Sequence, residues 1–143
     1  MEKTYRIRSD KESRAIAGLS MGGYGSFLYS LHHPDMFCAC APLSAAVFDD
    51  TVMEARKARS HKDLFNRLFG PGDEHWKQNN VLKILSDWDQ NNLPKIRYYI
   101  DCGDDDGLLD GNMQVHQIMR QKGSGMNSEC ATAAIAGPIG GRL

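Results

Sequence analysis

Five residues, Gly18-Leu19-Ser20-Met21-Gly22, constrain this chain more than any others because of what flanks them. Ahead of them, Arg14-Ala15-Ile16-Ala17 reads as a short buried strand. Behind them, Gly22 to Leu31 reads as a helix that stops at Pro34. A G-x-S-x-G segment in that context has a mechanism. The turn from strand to helix is so tight that side chains beside the serine would collide, so Gly18 and Gly22 are both expected to be obligatory. Ser20 then stands at the tip with its hydroxyl exposed, over a helix N-terminus that favours developing negative charge. The backbone N–H of Met21 is expected to be one oxyanion donor. A glycine-rich turn in an ordinary α/β protein could carry the same letters. The strand before and the helix after favour a nucleophile elbow.

The rest of the chain repeats the alternation. Phe37 to Leu43 is a continuous apolar run bounded by turn signals, which suits a strand buried on both faces. Residues 50–69 carry apolar positions at helical spacing, and Gly70-Pro71-Gly72-Asp73 breaks that helix. A further helix is expected from Asn80 to Trp88, and a third strand over Ile96 to Cys102, rich in β-branched and aromatic residues. The polar loop Gly103 to Gly111 leads into a helix from about Asn112 to Lys122. Strands alternating with helices predict an α/β fold with a parallel sheet and flanking helices. Three strands are too few for a complete sheet of this kind, so the chain reads as part of a domain.

Reactive groups in open α/β sheets collect at the carboxyl ends of strands. Asp104, Asp105 and Asp106 lie just beyond the third strand, where an acid that orients a catalytic histidine belongs. A solvated acidic loop is the competing reading. A calcium loop fails on spacing: counting back from Gly107, the first ligand position falls on Cys102, and no glutamate closes the loop. The cysteines Cys38, Cys40, Cys102 and Cys130 lack the C-x-x-C pairing and matching histidines of a zinc site, so no metal is expected and buried thiols are. With a net charge of −1 and interleaved signs, no basic face argues for nucleic acid or anionic membrane. No apolar run approaches a membrane span, and Met1 to Arg6 is polar from the start, unlike a signal peptide.

The chain resembles the putative-esterase family of α/β-hydrolases, which includes feruloyl and acetylxylan esterases and the esterase D proteins. The resemblance runs from about Glu2 to Lys122. It is carried by Arg14-Ala15-Ile16-Ala17-Gly18-Leu19-Ser20-Met21-Gly22-Gly23, by His32-His33-Pro34-Asp35-Met36-Phe37 and by Tyr99-Ile100-Asp101-Cys102-Gly103-Asp104-Asp105-Asp106. It implies a serine hydrolase acting on carboxylic esters, often acyl groups on plant polysaccharide, with Ser20 the nucleophile and Asp106 the acid, Asp105 being the fallback. It implies no cofactor. The family's domain begins several strands before the elbow, and it ends with a histidine in a Gly-Gly-His segment followed by aromatics. Residues 1–122 are therefore expected to be the C-terminal portion of a catalytic domain, with N-terminal strands and the last strand missing.

No histidine follows His116, so the equivalent of the family's ending contains no catalytic histidine. Residues 123–143 are instead expected to be an aberrant tail, translated out of frame. Joining the third base of each codon to the first two of the next, Met126-Asn127 forces Glu, and Glu129-Cys130 allows only Val or Met. Ala131-Thr132 permits Asp, the next two junctions permit Gly, and Ala134-Ile135 permits His. Trp, Tyr and Trp are then permitted at the junctions of Ala136-Gly137, Pro138-Ile139 and Ile139-Gly140. The shifted frame can spell an Asp-Gly-Gly-His segment followed by aromatics; a genuine tail rich in small residues is the competing reading. Among the remaining histidines, His32 and His33 end a helix running away from Ser20, His61 lies in a charged helix and His75 in a polar loop. His116, one or two turns from Asp106, is the least unsuitable substitute.

The expected reaction is ester hydrolysis through an acyl-enzyme, on a small-molecule or polysaccharide-linked ester. Acyl transfer to an alcohol is the closest rival, since only the acceptor differs. A non-catalytic remnant, or a binding module on a hydrolase scaffold, is the rival from another class.

Overall fold

The computed structural model describes residues 4–59, 66–67, 70, 72–89, 95–123 and 131–133. A 3₁₀ turn at Lys11–Ser13 leads into strand β1, Ala15–Leu19, and helix α1 follows at Met21–His32. Strand β2 spans Ala39–Leu43, α2 Asp50–Arg59, α3 Glu74–Asn79 and α4 Val81–Asp87. Strand β3 spans Arg97–Ile100, α5 Leu109–Lys122 and β4 Ala131–Ala133. The four strands form one sheet in the order β1-β2-β3-β4, every neighbouring pair parallel. Register pairs Ile16 with Cys40 and Cys40 with Tyr98, so these three residues form a row on one face.

That face carries the core. α1 packs on β1 and β2, and α4 packs between α1 and α5. Phe27 from α1 is fully buried and stacks on Tyr98 with ring centroids 6.1 Å apart, while the Tyr98 hydroxyl meets Ser30 Oγ at 3.2 Å. Burial pushes the Tyr98 phenol well above its ordinary range, and it holds Cys40 at about 11, so both stay protonated. Asn80 caps α4 by accepting from the backbone N–H groups of Leu82 and Lys83 at 3.0 and 3.3 Å.

Several expectations are corrected here. β1 is not buried: it is a sheet edge, and Ala15, Ala17 and Leu19 are exposed. Nor is β2 buried on both faces. Cys40 and Pro42 are buried, whereas Ala39, Ala41 and Leu43 on the opposite face are only half-buried. A run of parallel strands that always steps the same way puts its right-handed crossovers on one face, and the described helices cover that face only. The described sheet also contains a short strand, β4, beside β3. A parallel ladder is made of backbone groups, so Ala131-Thr132-Ala133 pairs with Tyr98, Tyr99 and Ile100 without needing large side chains.

Helix α3 stands where a polar loop is expected; Trp76 is its only large apolar residue, and the indole N–H donates to Asp50 Oδ1 at 2.9 Å. Helix α5 starts at Leu109, ahead of the expected Asn112. Of the residues expected to continue α2, 60–65, 68 and 69 lie outside the described residues, as does His61.

Candidate active site

Ser20 joins β1 to α1 with φ 57° and ψ −116°, a left-handed conformation that side chains avoid and that costs roughly 1–3 kcal/mol. It is held there from both sides. Its backbone N–H donates to the Leu43 carbonyl at 2.9 Å, and its carbonyl accepts from Tyr24 N and Ala46 N, both at 3.0 Å. The residue is exposed, and Met21 begins the helix, where a backbone N–H has no intrahelical acceptor. Thus the hydroxyl stands beside the first backbone N–H groups of a twelve-residue helix, at its positive end.

The glycine requirement is one-sided. A Cβ on Gly18 would stand 2.2 Å from the Gly22 carbonyl oxygen and 2.9 Å from Gly22 Cα, contacts that only backbone movement could relieve. A Cβ on Gly22 meets nothing within 4 Å among the described residues. The expectation that both positions must be glycine is therefore corrected: of the two, only Gly18 is excluded from bearing a side chain, because the strand passes so close to the first helical turn.

The acidic loop lies at the same end of the sheet. Strand ends β2 and β3 are tied by Ser44 N donating to the Asp101 carbonyl at 2.7 Å. Asp106 is half-buried, and its Oδ1 accepts the Leu108 backbone N–H at 2.9 Å; Leu109 N donates to its carbonyl, also at 2.9 Å. This turn is what starts α5 early. The Leu108 N–H, with help from the Ser44 hydroxyl, holds the Asp106 carboxyl below the usual carboxylate range, so it is ionised at neutral pH. Asp104 and Asp105 are exposed.

A residue not singled out from the sequence fastens this corner. Asn112, buried on α5, accepts from Ala45 N at 3.3 Å and donates to the carbonyls of Ala45 and Leu108 at 2.9 and 2.8 Å. Gly111 beside it lets the helix approach, since a Cβ there would fall 2.0 Å from the Val47 carbonyl oxygen. A Gly-Asn pair inside a helix is a poor helix former, and that was the available signal. A cavity of about 300 Å³ adjoins the corner, walled in part by Val47, Phe48, Val52, Leu108 and Met113.

The structure brings Ser20 and Asp106 to the ends of strands linked through β2, and it brings no described histidine into that link. His32 and His33 sit at the far end of α1, roughly 17 Å from Ser20 at 1.5 Å per residue. His75 is exposed on α3, and His116 is about two turns into α5. Among the described residues no cluster of three or more His, Cys, Asp or Glu could hold a metal ion. None of the described helices is long and apolar enough to cross a membrane.

Residues 1–137 match the family model described as "Putative esterase". An acetyl esterase of Caldicellulosiruptor saccharolyticus is 28% identical over 128 residues, which make up 83% of this chain and 47% of that protein. Among solved structures, a ferulic acid esterase superposes with a TM-score of 0.67 at 32% identity, over 95% of this chain and 48% of the other. The substrate-bound fluorophosphonate-binding serine hydrolase F of Staphylococcus aureus gives a TM-score of 0.68 at 21% identity, over 84% of this chain and 46% of the other. At that identity the last likeness speaks for the fold. The chain spans about half the length of the relatives it matches.

Proposed function

The chain belongs to the "Putative esterase" family, and from that premise we propose that its chemistry is carboxylic-ester hydrolysis through an acyl-enzyme on Ser20. The observation that carries the proposal is the left-handed Ser20 between a strand and a helix, with Gly18 pressed against the Gly22 backbone. Such strain persists only where the surroundings over-determine it, and here three backbone hydrogen bonds do so.

In this reading Ser20 Oγ attacks the ester carbonyl, and a histidine takes its proton as the carbon–oxygen bond to Ser20 forms. The Met21 N–H receives the oxyanion. Collapse of the tetrahedral intermediate expels the alcohol, which takes the proton from the histidine; water then releases the acid by the same steps in reverse order. Asp106, ionised and fixed by the Leu108 N–H, orients that histidine. The substrate class we propose is an ester of a small or aromatic acyl group, including acyl groups on plant polysaccharide, as the resemblance to an acetyl esterase and a ferulic acid esterase suggests.

The histidine is assigned to the shifted frame of residues 123–143, so that residues 1–122 are the portion of the catalytic domain read in frame. What supports this reading is that the junctions from Ala131 to Ile135 permit Asp-Gly-Gly-His in the shifted frame. Sequencing the encoding DNA around Gly123 tests it: one base missing there is expected, and an unbroken frame would overturn it. On the protein, p-nitrophenyl acetate is expected to be turned over very weakly by this chain. Frame repair should raise the rate, and Ser20→Ala should abolish the gain. Fast turnover insensitive to Ser20→Ala would refute the assignment.

A further inference from the structure

We propose that Asn112 is a positioning residue that sets the nucleophile and the acid in register with each other. The proposal rests on the reading of Ser20 and Asp106 given above and adds to it the group that couples them. One side-chain amide reaches the supports of both. Its Oδ1 accepts from Ala45 N at 3.3 Å, and its Nδ2 donates to the Ala45 carbonyl at 2.9 Å and to the Leu108 carbonyl at 2.8 Å. Ala46, the next residue along from Ala45, donates its N–H to the Ser20 carbonyl at 3.0 Å. Leu108 donates its own N–H to Asp106 Oδ1 at 2.9 Å. The path from nucleophile to acid therefore runs Ser20, Ala46, Ala45, Asn112, Leu108, Asp106, and every step that is not along the backbone is a hydrogen bond.

Packing grips the same segment from two sides. A Cβ on Gly23, in the first turn of α1, would stand 2.9 Å from Ala45 Cα, and one on Gly111 of α5 would stand 2.0 Å from the Val47 carbonyl oxygen. Residues 45–47 are thus pressed between the helix that begins at the elbow and the helix that begins at the acid turn. Ala45, Ala46, Val47 and Asn112 are all buried. Apolar contact alone could hold these parts together, but it is non-directional and leaves them free to slide. Hydrogen bonds depend on angle, and both amide protons and the oxygen of Asn112 are engaged, so the side chain cannot turn without breaking one. A buried amide at this point fixes the offset between two turns that come from different strands.

The test compares wild type with Asn112→Leu by amide hydrogen exchange on nitrogen-labelled chain, and by the rate at which a fluorophosphonate modifies Ser20. The proposal expects the Ala46 and Leu108 amides to accelerate about ten-fold more than those of Leu82 and Lys83, which Asn80 holds elsewhere. It expects modification of Ser20 in the folded variant to slow by about ten-fold, as misplacement of a reacting group does. A side chain that only stabilised the whole chain would accelerate all four amides alike. Equal acceleration, or Ser20 modified at the wild-type rate in the folded variant, would overturn the proposal. If the leucine variant does not fold, wild-type chain in urea below its unfolding transition decides. The Ala46 and Leu108 amides should then share one opening with the same urea dependence, and separate openings would overturn the proposal. Wild-type Ser20 left unmodified would remove the catalytic reading, while the exchange comparison still decides whether Asn112 couples the two turns.

Discussion

Replacing Asn112 separates the structure's account of the corner from a mere preference for polar residues there. Its side chain makes three hydrogen bonds, and the consequences of losing each differ. The Ala45 carbonyl would still accept from Val47 N at 2.7 Å, and the Leu108 carbonyl from the Asn112 backbone N–H at 3.3 Å. The Ala45 N–H has no such substitute in the described contacts, and Ala45 is fully buried. In Asn112→Leu, which keeps the branched shape of the side chain, one orphaned buried donor costs about 1–3 kcal/mol, and the two weakened carbonyls add about 0.5–1 kcal/mol each. The sum, about 2–5 kcal/mol, is a large part of the total stability of an ordinary domain. Asn112→Asp keeps an acceptor for Ala45 N–H but turns a charge toward two carbonyl oxygens. It is expected to be at least as damaging at pH 7, and to recover as pH falls, because protonation of the buried carboxyl removes the charge. Urea unfolding followed by fluorescence of Trp76 and Trp88 measures both. An Asn112→Leu chain within about 0.5 kcal/mol of wild type, or an aspartate variant that is milder than leucine at pH 7, would refute this hydrogen-bond accounting.

Other outcomes follow from the same geometry. Gly18→Ala should destabilise by about 3 kcal/mol, because its Cβ meets backbone that cannot swing aside. Gly22→Ala should be neutral or stabilise by up to about 1 kcal/mol, as alanine for glycine in an open helix position; thermal melts of the pair decide. The Asp106 carboxyl has a folded-state pKa below that of an unfolded aspartate, so its ionised form favours the fold. That contribution is complete above the unfolded value and disappears as pH falls through the folded one. An acid titration of stability should therefore show a step in wild type that is missing in Asp106→Asn.

The elbow, the strand–helix alternation and the boundaries of α1 and α4 were legible because each is written locally. A Gly-x-Ser-x-Gly turn, a proline stop after His33 and an asparagine cap before Val81 all act within a few residues. What escaped was set by distant partners. Asn112 binds Ala45 across 67 positions, and no periodicity reports that. The same holds for Ser44, whose backbone N–H is taken up by the Asp101 carbonyl at the end of another strand. The apolar letters of Phe37 to Leu43 are those of a strand buried on two faces, yet letters do not say which face receives helices. Helix α5 began early because Asp106 and Leu108 form a turn that continues into it, and turn chemistry of that kind is easily read as loop.

The central claim is that Ser20 is a nucleophile by virtue of its place in the fold. Incubating the chain with a fluorophosphonate and mapping the modified peptide by mass spectrometry tests it most directly. The account predicts slow phosphonylation of Ser20 in preference to every other serine, lost when the protein is first unfolded in urea and absent in Ser20→Ala. Modification spread across several serines, or none at Ser20 in the folded chain, would contradict it.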